Sequence, residues 1–351
     1  MTESKTLTLA AIEDLAFRAL IAAGTSEQNA RPLAVATAAT EADGVASHGL
    51  AYIPIYAEHV RCGKVDGQAK PVLNHPTPGV VTVDAATGFA HPAIDLGFEQ
   101  LVPLARAQGV AALSIRNSYN CGILGYHTQR LARAGLVGLG FTNSPASIAP
   151  SGGSKPVVGT NPISIAVPGT DGEPSILIDQ SASTIAKSEV MKRAREGKSI
   201  PVGWALDKDG EPTTDPDLGL QGSMAPSGGY KGVGIGLLVE IMAAALSGAT
   251  LGIHAAPFSG TAGGPPKTGQ FFLAIDPSAT SGDVAASDPG AASGNEFASR
   301  IADLVRAVHQ QDGAHLPGDG RKEKRAMAQQ GGVEVSMITL DKIYALVSEH
   351  D

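Results

Sequence analysis

Short runs rich in β-branched residues alternate with helical segments through the middle of the chain. These runs, each bounded by glycine or proline, predict strands at residues 79–83, 110–115, 136–142, 163–167 and 176–178. Helical periodicity fills two of the intervals, over residues 94–108 and 124–134. Because strands that alternate with helices pack as a layered sheet, the sequence predicts an α/β fold.

Helical patterns dominate the two ends of the chain. Apolar residues recur every three or four positions over residues 9–20, and an alanine-rich helical segment covers residues 26–43. Residues 232–246 are apolar nearly all round, which predicts a buried helix, and residues 297–308 form a last amphipathic helix. Residues 277–294 are mostly Ala, Ser, Gly and Asp and predict a mobile surface loop.

Charge and cysteine content exclude several classes of protein. With 26 Lys and Arg against 34 Asp and Glu, the net charge is −8, which disfavours nucleic acid and anionic membranes as partners. Cys62 and Cys121 are too few for a disulfide framework and fit a reducing compartment. No apolar run approaches the ~20 residues that a membrane span needs. We therefore expect a cytoplasmic protein.

The common nucleotide, metal and hydrolase motifs are missing from the sequence. No GxGxxG lies between a predicted strand and helix, and GxxxxGK[ST], HExxH and GxSxG do not occur. Gly232, Gly234 and Gly236 lie inside a predicted helix, where close helix packing is the simpler explanation. An ordinary Rossmann fold, a P-loop and a metal site are therefore not expected.

Two residues are candidates for acid–base chemistry. His48 lies between Ser47 and Gly49, so its imidazole is accessible as a general acid or base, with a surface helix cap as the equal alternative. Asp179 follows the predicted strand 176–178, where a carboxylate either contacts a ligand or caps a helix.

Two glycine-rich segments are candidate binding loops. Residues 159–162, Gly-Thr-Asn-Pro, offer backbone N–H groups, a hydroxyl and an amide, although a structural turn is favoured on spacing alone. Lys231 stands between glycines at the start of the 232–246 helix, where it meets an anionic ligand or projects into solvent.

These candidates belong to a longer, ordered series of short motifs. The series is Asp43-Gly44, Ser47-His48-Gly49, Pro54, Tyr56, Asn117-Ser118, Gly122, Gly125-Tyr126, Thr142-Asn143, residues 149–153, residues 159–162, Asp179-Gln180-Ser181, Ile200-Pro201, Gly203-Trp204-Ala205, residues 212–216, residues 229–232 and Leu316-Pro317-Gly318. In this order the motifs resemble the type 2 malate/L-lactate dehydrogenase family over nearly the whole chain. That family includes sulfolactate and ureidoglycolate dehydrogenases, diketogulonate reductase, and reductases of Δ1-pyrroline-2-carboxylate and Δ1-piperideine-2-carboxylate.

The resemblance implies a fold, a cofactor and an assembly. The fold is a non-Rossmann mixed sheet of the L-sulfolactate dehydrogenase-like type, which binds NADPH or NADH, with NADPH favoured. An α/β cofactor-binding part would cover residues 76–299, and a smaller, mainly helical part would combine residues 1–75 and 300–351. A homodimer with its active site near the subunit interface is expected.

The resemblance also assigns roles to individual residues. The catalytic pair would be His48 and Asp179. The substrate would contact Ser47, Tyr52, Asn120 and Lys231, and the cofactor would contact Ser118, Gly122, Thr160, Asn161, Ser181 and Gly318. No metal is implied. Arg321 and His315, beside Pro317-Gly318, are candidates for recognising the 2′-phosphate of NADP.

Two positions depart from the family pattern. The usual arginine of SHGxxR is Tyr52, and the usual histidine of NSxHxG is Asn120, with Cys121 next to it as pocket lining. A tyrosine replaces a bidentate carboxylate clamp with one hydroxyl, and the second imidazole is lost. Either another group such as Lys231 holds the substrate anion, or the substrate is neither malate nor lactate.

These departures favour a substrate whose reduction needs fewer charged or proton-donating groups in the site. A cyclic imine that is already protonated needs no acid during hydride transfer, whereas a carbonyl becomes an alkoxide that His48 would protonate. We therefore expect reduction of a cyclic 2-imino acid, of the Δ1-pyrroline-2-carboxylate or Δ1-piperideine-2-carboxylate type. The alternatives are a 2-hydroxy acid dehydrogenase of the malate, lactate or sulfolactate type and a catalytically impaired nucleotide-binding protein.

Overall fold

The structure is a computed structural model that describes residues 3–281 and 296–348. Its strands are β1 Ser4–Leu7, β2 Val72–Thr77, β3 Val80–Asp84, β4 Val110–Ser118, β5 Val137–Thr142, β6 Ile163–Pro168, β7 Pro174–Gln180, β8 Ala205–Leu206, β9 Pro212–Thr213, β10 Ser223–Met224, β11 Thr268–Ile275 and β12 Val333–Ser336. Its helices are α1 Leu9–Ala22, α2 Glu27–Ala42, α3 Ile53–Arg61, α4 Ala90–Gln108, α5 Leu124–Arg133, α6 Lys187–Arg195, α7 Pro216–Gln221, α8 Tyr230–Glu240, α9 Pro277–Thr280, α10 Glu296–His309, α11 Asp319–Gly331 and α12 Met337–Ser348. Short 3-10 turns lie at Ala46–His48 and Leu50–Tyr52, and a π-helical turn, Ile241–Ala245, continues α8.

A seven-stranded mixed sheet forms the centre of the molecule, in the order β2-β3-β4-β11-β5-β6-β7. Strands β3 and β4 pair in parallel, and the other neighbouring strands pair antiparallel. A doubly wound fold would instead be mostly parallel. The prediction of a non-Rossmann mixed α/β fold is therefore confirmed, together with the five predicted strands.

The two chain ends share one hydrophobic core. Ser26 caps α2 by accepting a hydrogen bond from the Asn29 backbone N–H at 3.3 Å. Leu20 and Leu33 of the first helices pack with Ile343 of α12, and β1 pairs antiparallel with β12. The C-terminal helix therefore closes the core that the N-terminal helices begin. The division at residues 75 and 300 stays a prediction.

The prediction that residues 232–246 are buried all round is wrong. Leu237, Leu238, Ile241 and Leu246 are between 41% and 61% exposed. The opposite face packs closely, because a Cβ on Gly236 would lie 2.9 Å from the Val158 side chain. A segment that is apolar on every face can be buried within its own chain or against another surface, and its sequence does not distinguish the two. The prediction of burial within the chain failed for this reason.

Other sequence expectations fall partly outside the described residues. Of the predicted mobile loop 277–294, Pro277–Thr280 form the short helix α9, capped by Asp276, and residues 282–294 lie outside the described part. Within the described ranges, no helix combines the length and apolarity that crossing a membrane requires.

Candidate active site

The loop that carries His48 is held by a buried carboxylate of α2. Glu41 Oε1 accepts a hydrogen bond from the Leu50 backbone N–H at 2.7 Å. A Cβ on Gly49 would lie 2.2 Å from the same oxygen, so a larger residue there would displace the Glu41 carboxylate. Burial raises the pKa of Glu41, and the Leu50 hydrogen bond opposes that effect. The C-terminal end of α2 thereby fixes the position of the His48 backbone.

His48 is half-buried and engaged on one ring nitrogen. Its Nδ1 lies 3.0 Å from Ser47 Oγ, and its ring stacks on Tyr52 with centroids 5.9 Å apart and an interplanar angle of 3°. Burial lowers the pKa of His48; the charge of Asp179 raises it and that of Arg321 lowers it. The imidazole is therefore mainly neutral at pH 7, with Nε2 left for a ligand, which favours an acid–base role over a surface cap.

The two departures from the family pattern lie together beside His48. Asn120 Nδ2 donates to the Tyr52 hydroxyl at 3.4 Å, and Asn120 Oδ1 accepts from the Gly122 backbone N–H at 2.6 Å. Burial raises the pKa of Tyr52 to about 12, so the hydroxyl stays protonated. Ser118, at the end of β4, is buried just before this segment. The wall next to the imidazole is thus polar and uncharged.

Asp179, near the end of β7, forms an ion pair with α11. Arg321 Nη1 lies 2.9 Å from Asp179 Oδ2, and the Asp179 side chain is only 9% exposed. Gly318 begins α11 with φ +99°, and a Cβ there would lie 2.9 Å from the Leu177 Cβ. The Pro317-Gly318 turn therefore packs directly on β7, two residues from Asp179.

Three more of the predicted residues, Thr160, Ser181 and Lys231, form a second group around Ala182. The Thr160 carbonyl accepts from the Ala182 backbone N–H at 2.7 Å, and Ser181 Oγ lies 3.0 Å from Ser183 Oγ. Lys231 is exposed at the start of α8, next to Gly232, whose Cβ would meet the Ala182 carbonyl at 2.9 Å. Residues 179–182 thus connect the His48 group to this one.

Asn161 is placed differently from the other predicted cofactor contacts. It is fully buried, and its Nδ2 donates to the Gly236 carbonyl at 2.9 Å and to Glu240 Oε2 at 2.8 Å. Its Oδ1 accepts from the Ser144 backbone N–H at 3.1 Å. The side chain therefore ties its loop to α8 and has no hydrogen-bonding atom left for a cofactor contact.

Sequence reasoning missed two histidines behind Asn120 and Gly122. The His91 and His127 ring centroids lie 5.2 Å apart, and His127 Nε2 donates to the Cys121 carbonyl at 2.9 Å. Burial lowers the pKa of His91 to about 3 and that of His127 as well, so both rings are neutral. They support the 120–122 turn, although no spacing in the sequence connects residues 36 positions apart.

Cys121 is unsuited to nucleophilic chemistry. Its side chain is buried, and burial raises the pKa of the thiol to about 12. A thiol that stays protonated is a poor nucleophile. The described residues also contain no group of three or more His, Cys, Asp or Glu that could hold a metal ion.

The residues present fit an extended dinucleotide. Gly228 and Gly229 both have φ +65°, and a Cβ on either would meet nothing within 4 Å, so their backbone is open to a ligand. They stand directly before Tyr230 and Lys231 at the start of α8. Open glycine backbone beside a lysine suits phosphate groups.

Comparison with known proteins agrees with this fold. The malate/L-lactate dehydrogenase family model matches residues 7–344. The (2R)-3-sulfolactate dehydrogenase (NADP(+)) of Chromohalobacter salexigens is 40% identical over 324 residues, which are 92% of each chain. The Δ1-pyrroline-2-carboxylate reductase of Ancylobacter novellus is 36% identical over 99% of this chain and 98% of the relative. The crystal structure of Δ1-piperideine-2-carboxylate reductase from Pseudomonas syringae pv. tomato superimposes with a TM-score of 0.88 at 36% identity, over 97% of this chain and 99% of that one.

The mixed sheet, the site around His48 and these relatives define an NAD(P)-dependent oxidoreductase, whose cofactor is NADPH or NADH. The chain belongs to the malate/L-lactate dehydrogenase family. The resemblance inferred from the sequence motifs is therefore confirmed.

Proposed function

We propose that this enzyme reduces a cyclic 2-imino acid, of the Δ1-pyrroline-2-carboxylate or Δ1-piperideine-2-carboxylate type, to the cyclic amino acid. The observation that carries the proposal is the uncharged Tyr52–Asn120 pair beside His48. An arginine at position 52 would place a cation next to the substrate nitrogen. A protonated imine is itself a cation, so a neutral wall tolerates it better than a cationic one.

The neutral state of His48 supports the same substrate class. The bound cofactor supplies the hydride. With Nδ1–H donated to Ser47 Oγ, the free Nε2 of His48 accepts a hydrogen bond from the iminium N–H and stabilises it. A 2-oxo acid would instead need a protonated imidazole, which burial disfavours. We propose that Lys231 holds the substrate carboxylate, in place of the arginine that is missing at position 52.

The relatives support this class and one alternative. Δ1-pyrroline-2-carboxylate reductases from several bacteria are 35–36% identical over 97–99% of this chain. The sulfolactate dehydrogenase at 40% identity favours a 2-oxo acid as the second candidate substrate. Sulfopyruvate is therefore the alternative substrate that an assay most needs to include.

A substrate panel tests the proposal. Purified enzyme with NADPH, then with NADH, is offered the two cyclic imino acids, pyruvate, oxaloacetate and sulfopyruvate, and cofactor oxidation is followed by absorbance. We expect kcat/KM for a cyclic imino acid to exceed that for each oxo acid by about tenfold or more, which is ~1.4 kcal/mol of transition-state discrimination. Faster turnover of sulfopyruvate would establish the alternative, and NADPH binding without any turnover would indicate an impaired enzyme.

We further propose that the enzyme is a cytoplasmic homodimer. An open apolar face, formed by Leu237 and Leu238 of α8 and by Ile241 and Leu246 just beyond it, begins six residues after Lys231, so a second copy bound there would lie beside Lys231. Isolated proteins rarely expose such contiguous apolar faces. The free thiols of Cys62 and Cys121 fit a reducing compartment.

Replacing Ile241 with glutamate should split the dimer. Ile241 is 52% exposed in the single chain, so the substitution costs little there but places two charges in a dimer interface. Light scattering after size exclusion should show the mass of one chain, with circular dichroism unchanged. Val202→Glu, at a position that is 72% exposed and lies outside this apolar face, is the control. A dimer that persists with Ile241→Glu would refute this interface.

A further inference from the structure

A buried lysine in the turn after α3 holds a loop that precedes β11. Lys64 is only 1% exposed, and its Nζ donates to the Pro257 carbonyl at 2.7 Å, to the Gly260 carbonyl at 2.8 Å and to the Ser259 carbonyl at 3.5 Å. A buried ammonium group is costly unless its N–H groups are hydrogen-bonded. These three carbonyls therefore keep residues 257–260 against the end of α3.

His59, on α3, joins this loop to the residue that follows β4. It is fully buried; its Nε2 lies 3.0 Å from the Gly260 carbonyl, and its Nδ1 contacts the Tyr119 hydroxyl. A carbonyl only accepts, so Nε2 carries the proton. Burial and then the charge of Lys64 lower the pKa of His59, so the ring is neutral at pH 7 and Nδ1 is an acceptor. Because burial raises the pKa of Tyr119, its hydroxyl keeps the proton that it donates to Nδ1.

Tyr119 transmits this restraint to the substrate side of the site. Its ring packs edge-on against Phe258 of the same loop, with centroids 5.4 Å apart, and its carbonyl accepts from Gln270 Nε2 at 3.1 Å. The next residue, Asn120, reaches the Tyr52 hydroxyl through a hydrogen bond of 3.4 Å. That bond is long, so a small shift of Tyr119 would break it.

We propose that His59 is a positioning residue for substrate binding: by holding the Tyr119 hydroxyl, it keeps Asn120 against Tyr52. The inference rests on the proposed function only in placing the substrate beside the Tyr52–Asn120 pair. His59 and Tyr119 are both buried behind that pair, so they act through it. Since the loop that carries His48 is held separately, by α2, a shift of the pair should weaken substrate binding more than it slows the chemical step.

Two substitutions of His59 separate its two hydrogen bonds. Asparagine places an acceptor oxygen near the position of Nδ1, whereas glutamine places a donor amide near the position of Nε2. We expect His59→Asn to keep the wild-type KM for the substrate, and His59→Gln to raise it about 3- to 10-fold with kcat within about twofold. NADPH affinity should stay unchanged in both. Each variant loses one buried hydrogen bond, so a purely structural role would affect the two alike.

Tyr119→Phe removes the donor from the other side and keeps the ring. It should raise KM by the same factor as His59→Gln, and the double variant should show no further increase, because both changes break one hydrogen bond. Tyr344→Phe, at a position 37% exposed on α12, is the control. The assay uses whichever panel substrate the wild type turns over, so its result is independent of whether that substrate is an imino acid. Equal KM values for His59→Asn and His59→Gln, an unchanged KM in Tyr119→Phe, or additive effects in the double variant would overturn the proposal.

Discussion

Replacing His48 with alanine should lower kcat for the cyclic imino acid by about 100-fold or more above pH 8. At that pH the free imine is mostly unprotonated, so the complex takes up one proton from solvent and holds it on the substrate nitrogen, hydrogen-bonded to an enzyme acceptor. Stacked on Tyr52 and engaged by Ser47, His48 is the group placed to share it. Without the imidazole, the iminium that accepts hydride loses its hydrogen-bond acceptor.

The defect should shrink as the pH falls. At about pH 6 more of the free imine carries its own proton, so the variant receives an iminium and depends less on His48. A carbonyl is never protonated in this range and needs a protonated imidazole, so with a 2-oxo acid the defect would instead be largest at low pH, where wild-type His48 carries a proton. Burial holds the pKa of His48 below its ordinary value, which keeps the wild-type imidazole an acceptor across most of the range.

The measurement is kcat for wild type and His48→Ala between about pH 6 and about pH 9, with NADPH affinity determined at each pH. NADPH affinity should change little, because the imidazole acts on the substrate. His75→Ala, at an exposed position on β2, is the control. A parallel loss of NADPH binding would mean that His48 is structural, and a defect that stays constant or grows as the pH falls would contradict an imine substrate.

Local sequence patterns predicted the alternating strands and helices in the middle of the chain. The element that was missed depends on pairing between segments far apart in the sequence. Strands β3 to β7 carry β-branched runs between turn residues and were predicted, as were α4 and α5. Strand β11, Thr268–Ile275, was missed, although it lies at the sheet centre between β4 and β5. The strands that it pairs with lie more than 120 residues earlier in the sequence, and nothing in the sequence of β11 indicates that pairing.

The candidate site shows the same division. Motif order marked His48 and Asp179, because each lies in a short cluster of small and polar residues that matches the family's series of motifs. Glu41, His91 and Arg325 were not predicted, because their roles depend on contacts made only after folding. The assignments of individual residues to substrate and cofactor stay predictions that the proposed variants test.

Replacing Arg325 with methionine should lower the free energy of unfolding by about 3–5 kcal/mol, because it leaves a buried carboxylate without its cation. The guanidinium of Arg325 lies 2.8 Å from Asp43, 2.7 Å from Glu173 and 2.6 Å from Gln129. These partners come from the end of α2, the β6–β7 turn and α5. Arg133 also binds Glu173 at 2.9 Å, so Asp43, only 6% exposed, is the group that loses most.

Urea denaturation measures the loss, and a double variant tests its cause. Arg325→Met with Asp43→Asn removes both charges, so it should recover a large part of the stability that the single variant loses. Arg306→Met breaks an exposed pair with Asp303 on α10 and should cost at most about 1 kcal/mol. If Arg325→Met lowered the free energy of unfolding by no more than Arg306→Met does, the prediction would be wrong, because the Arg325–Asp43 pair would then contribute no more to stability than an exposed pair. Asp43 caps the C-terminal end of α2, five residues before His48, so a large loss should also lower turnover, since the guanidinium that joins α11 to α2 also steadies the loop that carries His48.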